Sequence, residues 1–249
     1  MGAFAARAVE GLGEIPAGSD LGALIAAAAA GLSGTDVVVI AHKVVSKAEG
    51  RVRRLADIEP GPQAAELAAA HGKDPRHVQA ILEESVEIVR AERGVLIVRT
   101  HQGFVCANAG VDESNTAEDG TLILLPLDAD ASARAIRARL RELTGHAAAV
   151  LISDSFGRAW RIGQLDCAVG IAGLAPLDDW RGRTDRRGRE LHATVIAVAD
   201  AIAAAADLAR TKGSGEPVVI VSGLGAHVLA EDGPGAAALI RARAEDLFR

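Results

Sequence analysis

Six short apolar runs, rich in β-branched residues and bounded by turn formers, constrain this chain more than any other feature. They are Val37–Ala41, Val95–Val98, Gly103–Ala107, Leu122–Leu125, Ala148–Ile152 and Val218–Val221. Runs of that length and chemistry read as buried strands. Helical patterns lie between them. Val78, Ile81, Leu82, Val86 and Val89 recur at helical spacings and predict one apolar helix face. Ala135–Leu143 alternates Arg with Ile and Leu in the same way, and Thr194–Ala209 predicts a long alanine-rich helix. Asp20 is placed to cap a helix starting near Leu21. Gly61–Pro75 reads as a hinge or short helix, and Lys212–Pro217 as a loop entering the last strand. Strands and helices mix without a regular βαβ repeat, which predicts an α+β (mixed α/β) fold rather than a simple doubly wound sheet. No linker or internal repeat divides residues 1–249, so they read as one unit.

Composition narrows the function. A net charge of −6 disfavours a general nucleic-acid binder, and 2% aromatic residues with no Tyr disfavour base-stacking platforms. The longest apolar stretch, Leu24–Leu32, is far shorter than the roughly 20 residues of a membrane span. The first residues lack the order of a secretory signal, and two cysteines cannot build a disulfide framework. A soluble cytoplasmic protein is the expectation. The Walker loop, dinucleotide fingerprint, H-E-x-x-H, paired C-x-x-C and G-x-S-x-G patterns are all missing from the sequence.

Three polar clusters follow apolar runs, where ligand sites gather in mixed folds. In the first, Ala41–Lys47, Lys43 and Lys47 stand four apart and suit a polyphosphate; a solvated basic turn is the plainer account. In the second, Ala109–Asn115, Asp112 could supply a hard oxygen to magnesium or manganese. Asn115 could contact a phosphate or base there, although both residues are also ordinary turn formers. The third, Ile152–Arg161, sets Asp154 at a strand end beside Ser155, with Arg158 and Arg161 close behind. It reads as a metal–phosphate site, or as a capped strand end with Trp160 as a packing anchor. Arg181–Arg189 carries five arginines in nine residues and could grip an anion or simply be solvated. Cys106 and Cys167 sit among apolar neighbours and read as packing residues, while His71, His77 and His146 read as surface. Together the clusters predict a metal-dependent enzyme acting on phosphorylated compounds.

In this order the clusters resemble the coenzyme F-420:L-glutamate ligase family, also called coenzyme F-420-0:gamma-glutamyl ligase. The stretches that carry the resemblance are Gly11–Ile15, Gly18–Leu21, Lys43–Gly50, Gly103–Asn115 and Ser153–Gln164, then Asp185–Leu191, Val198–Asp200 and Glu245–Arg249. The resemblance implies a stand-alone, two-lobed α+β subunit in an intertwined homodimer. It implies a cytoplasmic ligase that uses GTP to activate the terminal carboxylate of the deazaflavin F-420-0 as an acyl phosphate. L-glutamate then attacks, GDP and phosphate leave, and further gamma-linked glutamates can follow. By position, Leu12, Gly13, Glu14, Ile15, His42, Lys47 and Asn115 match nucleotide contacts. Asp112 and Asp154 match catalytic ligands of a first metal, and Ser155 a contact of a second; the ions implied are Mg²⁺ or Mn²⁺, with K⁺ as a further ion. Arg158 and Arg161 suit the substrate's phosphate or carboxylates. The chain departs from the family pattern at Gly13 (usually Pro), His42 (commonly Ser), Ala201 (often Glu) and Ser222 (frequently Arg). A metal-dependent phosphohydrolase and a non-catalytic nucleotide or deazaflavin binder are the competing readings.

Overall fold

A computed structural model describes residues 3–113, 119–210 and 213–247. The chain begins with β1 (Ala5–Ala8), α1 (Leu21–Ala28), β2 (Val37–Ala41) and α2 (His42–Ala48). It continues through β3 (Val52–Arg54), α3 (Pro62–His71), α4 (Pro75–Glu83), β4 (Ser85–Glu92), β5 (Val95–Thr100), β6 (Val105–Ala107) and β7 (Thr121–Ile123). Then come α5 (Ala129–Thr144), β8 (Ala149–Arg158), β9 (Arg161–Ala172), β10 (Leu177–Asp179), β11 (Val195–Ala197), α6 (Val198–Ala209) and β12 (Val218–Ser222). The mixed α/β class expected from the sequence is what is observed.

The central sheet has the order β1-β12-β2-β8-β9, with β2 and β8 parallel and the other pairs antiparallel. Its middle strands are buried on both faces, which is why they appear in the sequence as unbroken apolar runs rather than alternating ones. Val38, Ile40, Val150 and Ile152 pack with Leu21 and Ile25 of α1 and with Ala133, Ile136 and Leu140 of α5. The alternate set, Val37, Val39, Leu151 and Val219, packs with Ala199, Ile202 and Ala206 of α6. Gly170 admits α5 closely, since a Cβ there would lie 2.4 Å from the Ala129 carbonyl oxygen. Between β2 and β8 the chain builds a separate apolar cluster from α3, α4, β5 and β7, including Ala64, Ile81, Leu96 and Leu122. Among the described residues no helix is long and apolar enough to cross a membrane.

Three expectations change. The helical face stops after Leu82, and Val86 and Val89 belong to β4. The cause lies just beyond, where Glu92 pairs with Val95 across Arg93–Gly94, both at positive φ (52° and 77°). That two-residue turn imposes antiparallel pairing on what precedes it. Likewise Thr194 precedes a short strand, and the helix starts only at Val198. The strand expected to end at Ile152 runs on to Arg158 and folds back as β9, so Asp154 lies within a strand rather than at its end.

Asp20 does cap α1, accepting from the Ala23 amide at 2.9 Å. Asp74 caps α4 through the Arg76 amide, and bonding to the Arg76 guanidinium holds its carboxyl down at about 2. Asp74→Ala is therefore expected to cost about 1 kcal/mol in urea unfolding at neutral pH. A carboxyl lowered on folding stabilises fully above its unfolded value of 3.8 and loses that contribution as pH falls towards about 2. The difference between wild type and variant must shrink over that window; a gap that persists at pH 2 contradicts the assignment.

Candidate active site

Register creates the site. In the parallel pair Ala41 faces Ser153, so the next residues, His42 and Asp154, emerge side by side at the same end of the sheet. His42 opens α2, which carries Lys43 and Lys47 one turn apart. At Ile152/Ser153 the β8–β9 register slips, leaving Val169 unpaired. Such a bulge re-aims the side chains beyond it. Asp112 arrives from the other side, pinned by its backbone to Ile123 through bonds of 3.0 and 2.8 Å. The result is a cavity of about 490 Å³.

Of the residues singled out in the sequence, Gly13, Glu14, Ile15, His42, Lys47, Asp112, Asp154 and Ser155 all line this cavity. Leu12 packs on the sheet core beside it. Asn115 lies outside the described residues. Arg158 and Arg161 pair at the tip of the β8–β9 hairpin, where the structure does not bring them to the cavity; the Arg158 guanidinium bonds the carbonyls of Ile162 and Gly163 instead. Trp160, at the same tip, is 80% exposed rather than buried as a core anchor would be. The arginine-rich run lies beside β10 and β11, with Arg181 and Arg183 paired to Asp179 and Asp178. Gly13 takes φ +64°, a left-handed conformation that a proline cannot adopt.

The cavity is charged on both signs. Lys43 Nζ lies 2.7 Å from Asp112 Oδ2, and Lys47 Nζ lies 2.5 Å from Glu14 Oε1. Asp154 is 14% exposed; it accepts from the Ser155 amide at 2.8 Å and lies 3.3 Å from His42 Nε2. Alternation turns Ser153 and Ser155 to the opposite side of the strand from Asp154. There both hydroxyls donate to Asp166, at 2.8 and 2.7 Å. Asp166 is 1% exposed and also takes a hydrogen bond from the Arg210 guanidinium. Arg210 in turn reaches the Pro217 carbonyl at 3.2 Å and so ties down the 213–217 loop, another wall of the cavity.

Asp166, Arg210 and this loop are site components that the sequence reading missed. The one available signal was an acid embedded in the apolar run Leu165–Ala172, because a buried charge demands a partner. His77 was expected at the surface but is largely buried and paired to Glu113 at 2.9 Å, next to Asp112. Burial lowers its pKa, with Glu113 opposing. Burial likewise pushes the Cys106 thiol up to about 12, helped by the charge of Asp154, and Cys167 to about 12. A thiol so raised is a poor nucleophile at neutral pH.

Among the described residues no three His, Cys, Asp or Glu side chains converge as a preformed metal cluster. Asp112 and Asp154 nonetheless offer hard carboxylate oxygens to one cavity, while the Ser155 hydroxyl, which also lines it, is engaged with Asp166. That set fits magnesium or manganese, which bind through one or two carboxylates and complete their shell with phosphate oxygens and water.

Known proteins resemble this chain over most of its length. Residues 11–223 match the family F420-0:Gamma-glutamyl ligase. The chain is 46% identical over 246 residues to the coenzyme F420:L-glutamate ligase of Methanothermobacter thermautotrophicus, covering 97% of each. It is 47% identical over 234 residues to that of Methanopyrus kandleri, covering 93% of this chain and 92% of the relative. With the Archaeoglobus fulgidus protein of the same name it shares 48% over 217 residues, 87% of this chain and 86% of the relative. With the match running from the loop before α1 to the end of β12, the chain belongs to the F420-0:gamma-glutamyl ligase family.

Proposed function

We propose that this protein is a cytoplasmic, GTP-dependent ligase that joins L-glutamate to the deazaflavin coenzyme F-420-0 and can extend the gamma-linked tail. The observation that carries the reading is the cavity itself. It gathers two lysines with Asp112 and Asp154, the charges a metal–polyphosphate complex requires, in a chain whose relatives bear the ligase name.

A carboxylate is a poor electrophile, so the γ-phosphoryl group first moves from GTP to the terminal carboxylate oxygen of the acceptor. GDP departs and an acyl phosphate forms. The glutamate amine then attacks the acyl carbon, the carbon–oxygen bond to phosphate breaks, and the amine loses a proton as the amide forms. Lys43 and Lys47 hold the phosphates. Their present partners are partly exposed carboxylates, an arrangement worth about 0–1 kcal/mol, so a polyphosphate recruits both ammoniums at little cost. Asp112, Asp154 and Ser155 would hold Mg²⁺ or Mn²⁺, which when bound neutralises charge on the transferring group. Gly13, Glu14 and Ile15 shape the nucleotide side of the cavity, and Asn115 belongs to the same proposed contact set.

In this reading the subunit has two lobes, one around the central sheet and one around the cluster of α3, α4, β5 and β7. An intertwined homodimer would cover the β8–β9 hairpin, where Trp160 is 80% and Ile162 99% exposed. Arg158 and Arg161 can serve as substrate anchors only if that assembly carries the hairpin to a cavity.

Mass spectrometry of F-420-0 incubated with the protein, GTP, L-glutamate and Mg²⁺ or Mn²⁺ tests the reading. Product masses rising in single-glutamate steps are expected. GTP turnover with no glutamate-bearing product would overturn it in favour of a phosphohydrolase.

A further inference from the structure

His42 is 2% exposed, and its Nε2 has no hydrogen-bond partner among the described residues. Asp154 Oδ1 is only 3.3 Å away, but the two are not aligned for a hydrogen bond. A buried polar atom left unpaired costs about 1–3 kcal/mol, so its presence at the wall of a charged cavity needs a cause. The other ring nitrogen supplies one. Nδ1 lies 3.4 Å from Oγ of Ser46, a wholly buried hydroxyl one turn along α2. With the ring proton on Nδ1 and directed at Ser46, Nε2 keeps its lone pair. A hydrogen bond on one ring nitrogen commonly fixes the other for metal binding in this way.

We propose that His42 is a metal ligand: its Nε2 and the Asp154 carboxylate share one divalent cation, and the imidazole biases that site towards manganese over magnesium. The spacing suits this role. Two atoms each about 2.1 Å from one ion stand about 3.0 Å apart at an octahedral angle and about 3.4 Å at a tetrahedral one. The observed 3.3 Å falls between these values. A direct histidine–aspartate pair would point N–H at oxygen. Two ligands aimed at a common third atom approach each other at this distance without that alignment. Magnesium prefers an all-oxygen shell. Manganese also favours oxygen, but as a first-row transition ion it accepts a nitrogen donor more readily than magnesium does, so one imidazole shifts selectivity. The remaining coordination positions fall to Asp112, now paired with Lys43, and to water or phosphate oxygens, since no three His, Cys, Asp or Glu side chains are preassembled there among the described residues.

The inference rests on the ligase reading only in taking Asp154 as a cation ligand, and its test needs no turnover. Mn²⁺ alone is added to the full-length protein and examined by pulsed electron paramagnetic resonance. Directly coordinated imidazole gives ¹⁴N modulation, which must change to the ¹⁵N pattern when the protein carries ¹⁵N-labelled histidine. In His42→Ser the modulation must vanish, and the Mn²⁺ Kd must weaken roughly 10- to 100-fold. Mg²⁺ binding should move by less than about threefold, because an all-oxygen shell loses nothing with the imidazole. The labelled wild-type spectrum overturns the proposal, if it shows no histidine nitrogen, even where the variant does not fold. Bound Mn²⁺ without nitrogen coupling, or no bound Mn²⁺, overturns the proposal. Glutamate-bearing product made with Mn²⁺ in the absence of nitrogen coupling would sink this inference alone. A histidine-coordinated ion in a protein that forms no product would keep it and sink the ligase reading.

Discussion

Asp154→Asn protein is expected to form glutamate-bearing product at least about 10³-fold more slowly than wild type, a loss of about 4 kcal/mol in transition-state stabilisation. The substitution is chosen because it removes charge and little else. Asn retains an oxygen to accept from the Ser155 amide, so the start of the β8–β9 hairpin stays held. The unfolding midpoint should therefore stay close to that of wild type while activity collapses. Asp112→Asn should behave alike, since the Asp112 backbone is fixed to Ile123 whatever its side chain carries. Product accumulation in either variant at more than a tenth of the wild-type rate would remove that carboxylate from the catalytic apparatus.

Arg210→Ala carries the largest expected cost in stability. Asp166 is the most deeply buried carboxylate of the site, and Arg210 is its cationic partner. Breaking a buried pair by removing one member typically costs about 3–5 kcal/mol, because the remaining charge stays buried without compensation. For a chain of this size that corresponds to a fall of roughly 6–20 °C in Tm. Adding Asp166→Asn to Arg210→Ala should recover part of the loss, since no charge is then stranded. A double variant no more stable than the single one would show that the pair acts only through packing. The single variant also removes one of the two hydrogen bonds on the Pro217 carbonyl, leaving only that from the Ala41 amide. Slackening this loop should raise the KM for the nucleotide before it lowers kcat.

Much of this architecture is visible in local patterns. Val37–Ala41 and Val218–Val221 are strands in the positions expected, because buried strands of β-branched residues need no knowledge of their neighbours. Ala135–Leu143 lies within α5 for the same local reason. The stretch from Ser85 to Val89 was misleading because its apolar residues also fit a helical period, and only pairing across Arg93–Gly94 settles it. The β8–β9 hairpin was missed beyond Ile152 because polar residues such as Asp154, Ser155 and Asp166 interrupt the apolar pattern while remaining paired.

The sequence by itself determined the mixed strand-and-helix character, the capping at Asp20 and the chemical identity of the clusters around Lys43, Asp112 and Asp154. Only the tertiary structure decided which of these meet. His42 touches Asp154 because a parallel register sets Ala41 against Ser153, more than a hundred residues along the chain. Ser153, Ser155 and Arg210 converge on Asp166 through strand alternation and the exit of α6, while Arg158 and Arg161 are carried away to a hairpin tip. Side-chain type is a local property, but proximity depends on strand register and sheet order, which arise from the packing of distant segments into one core.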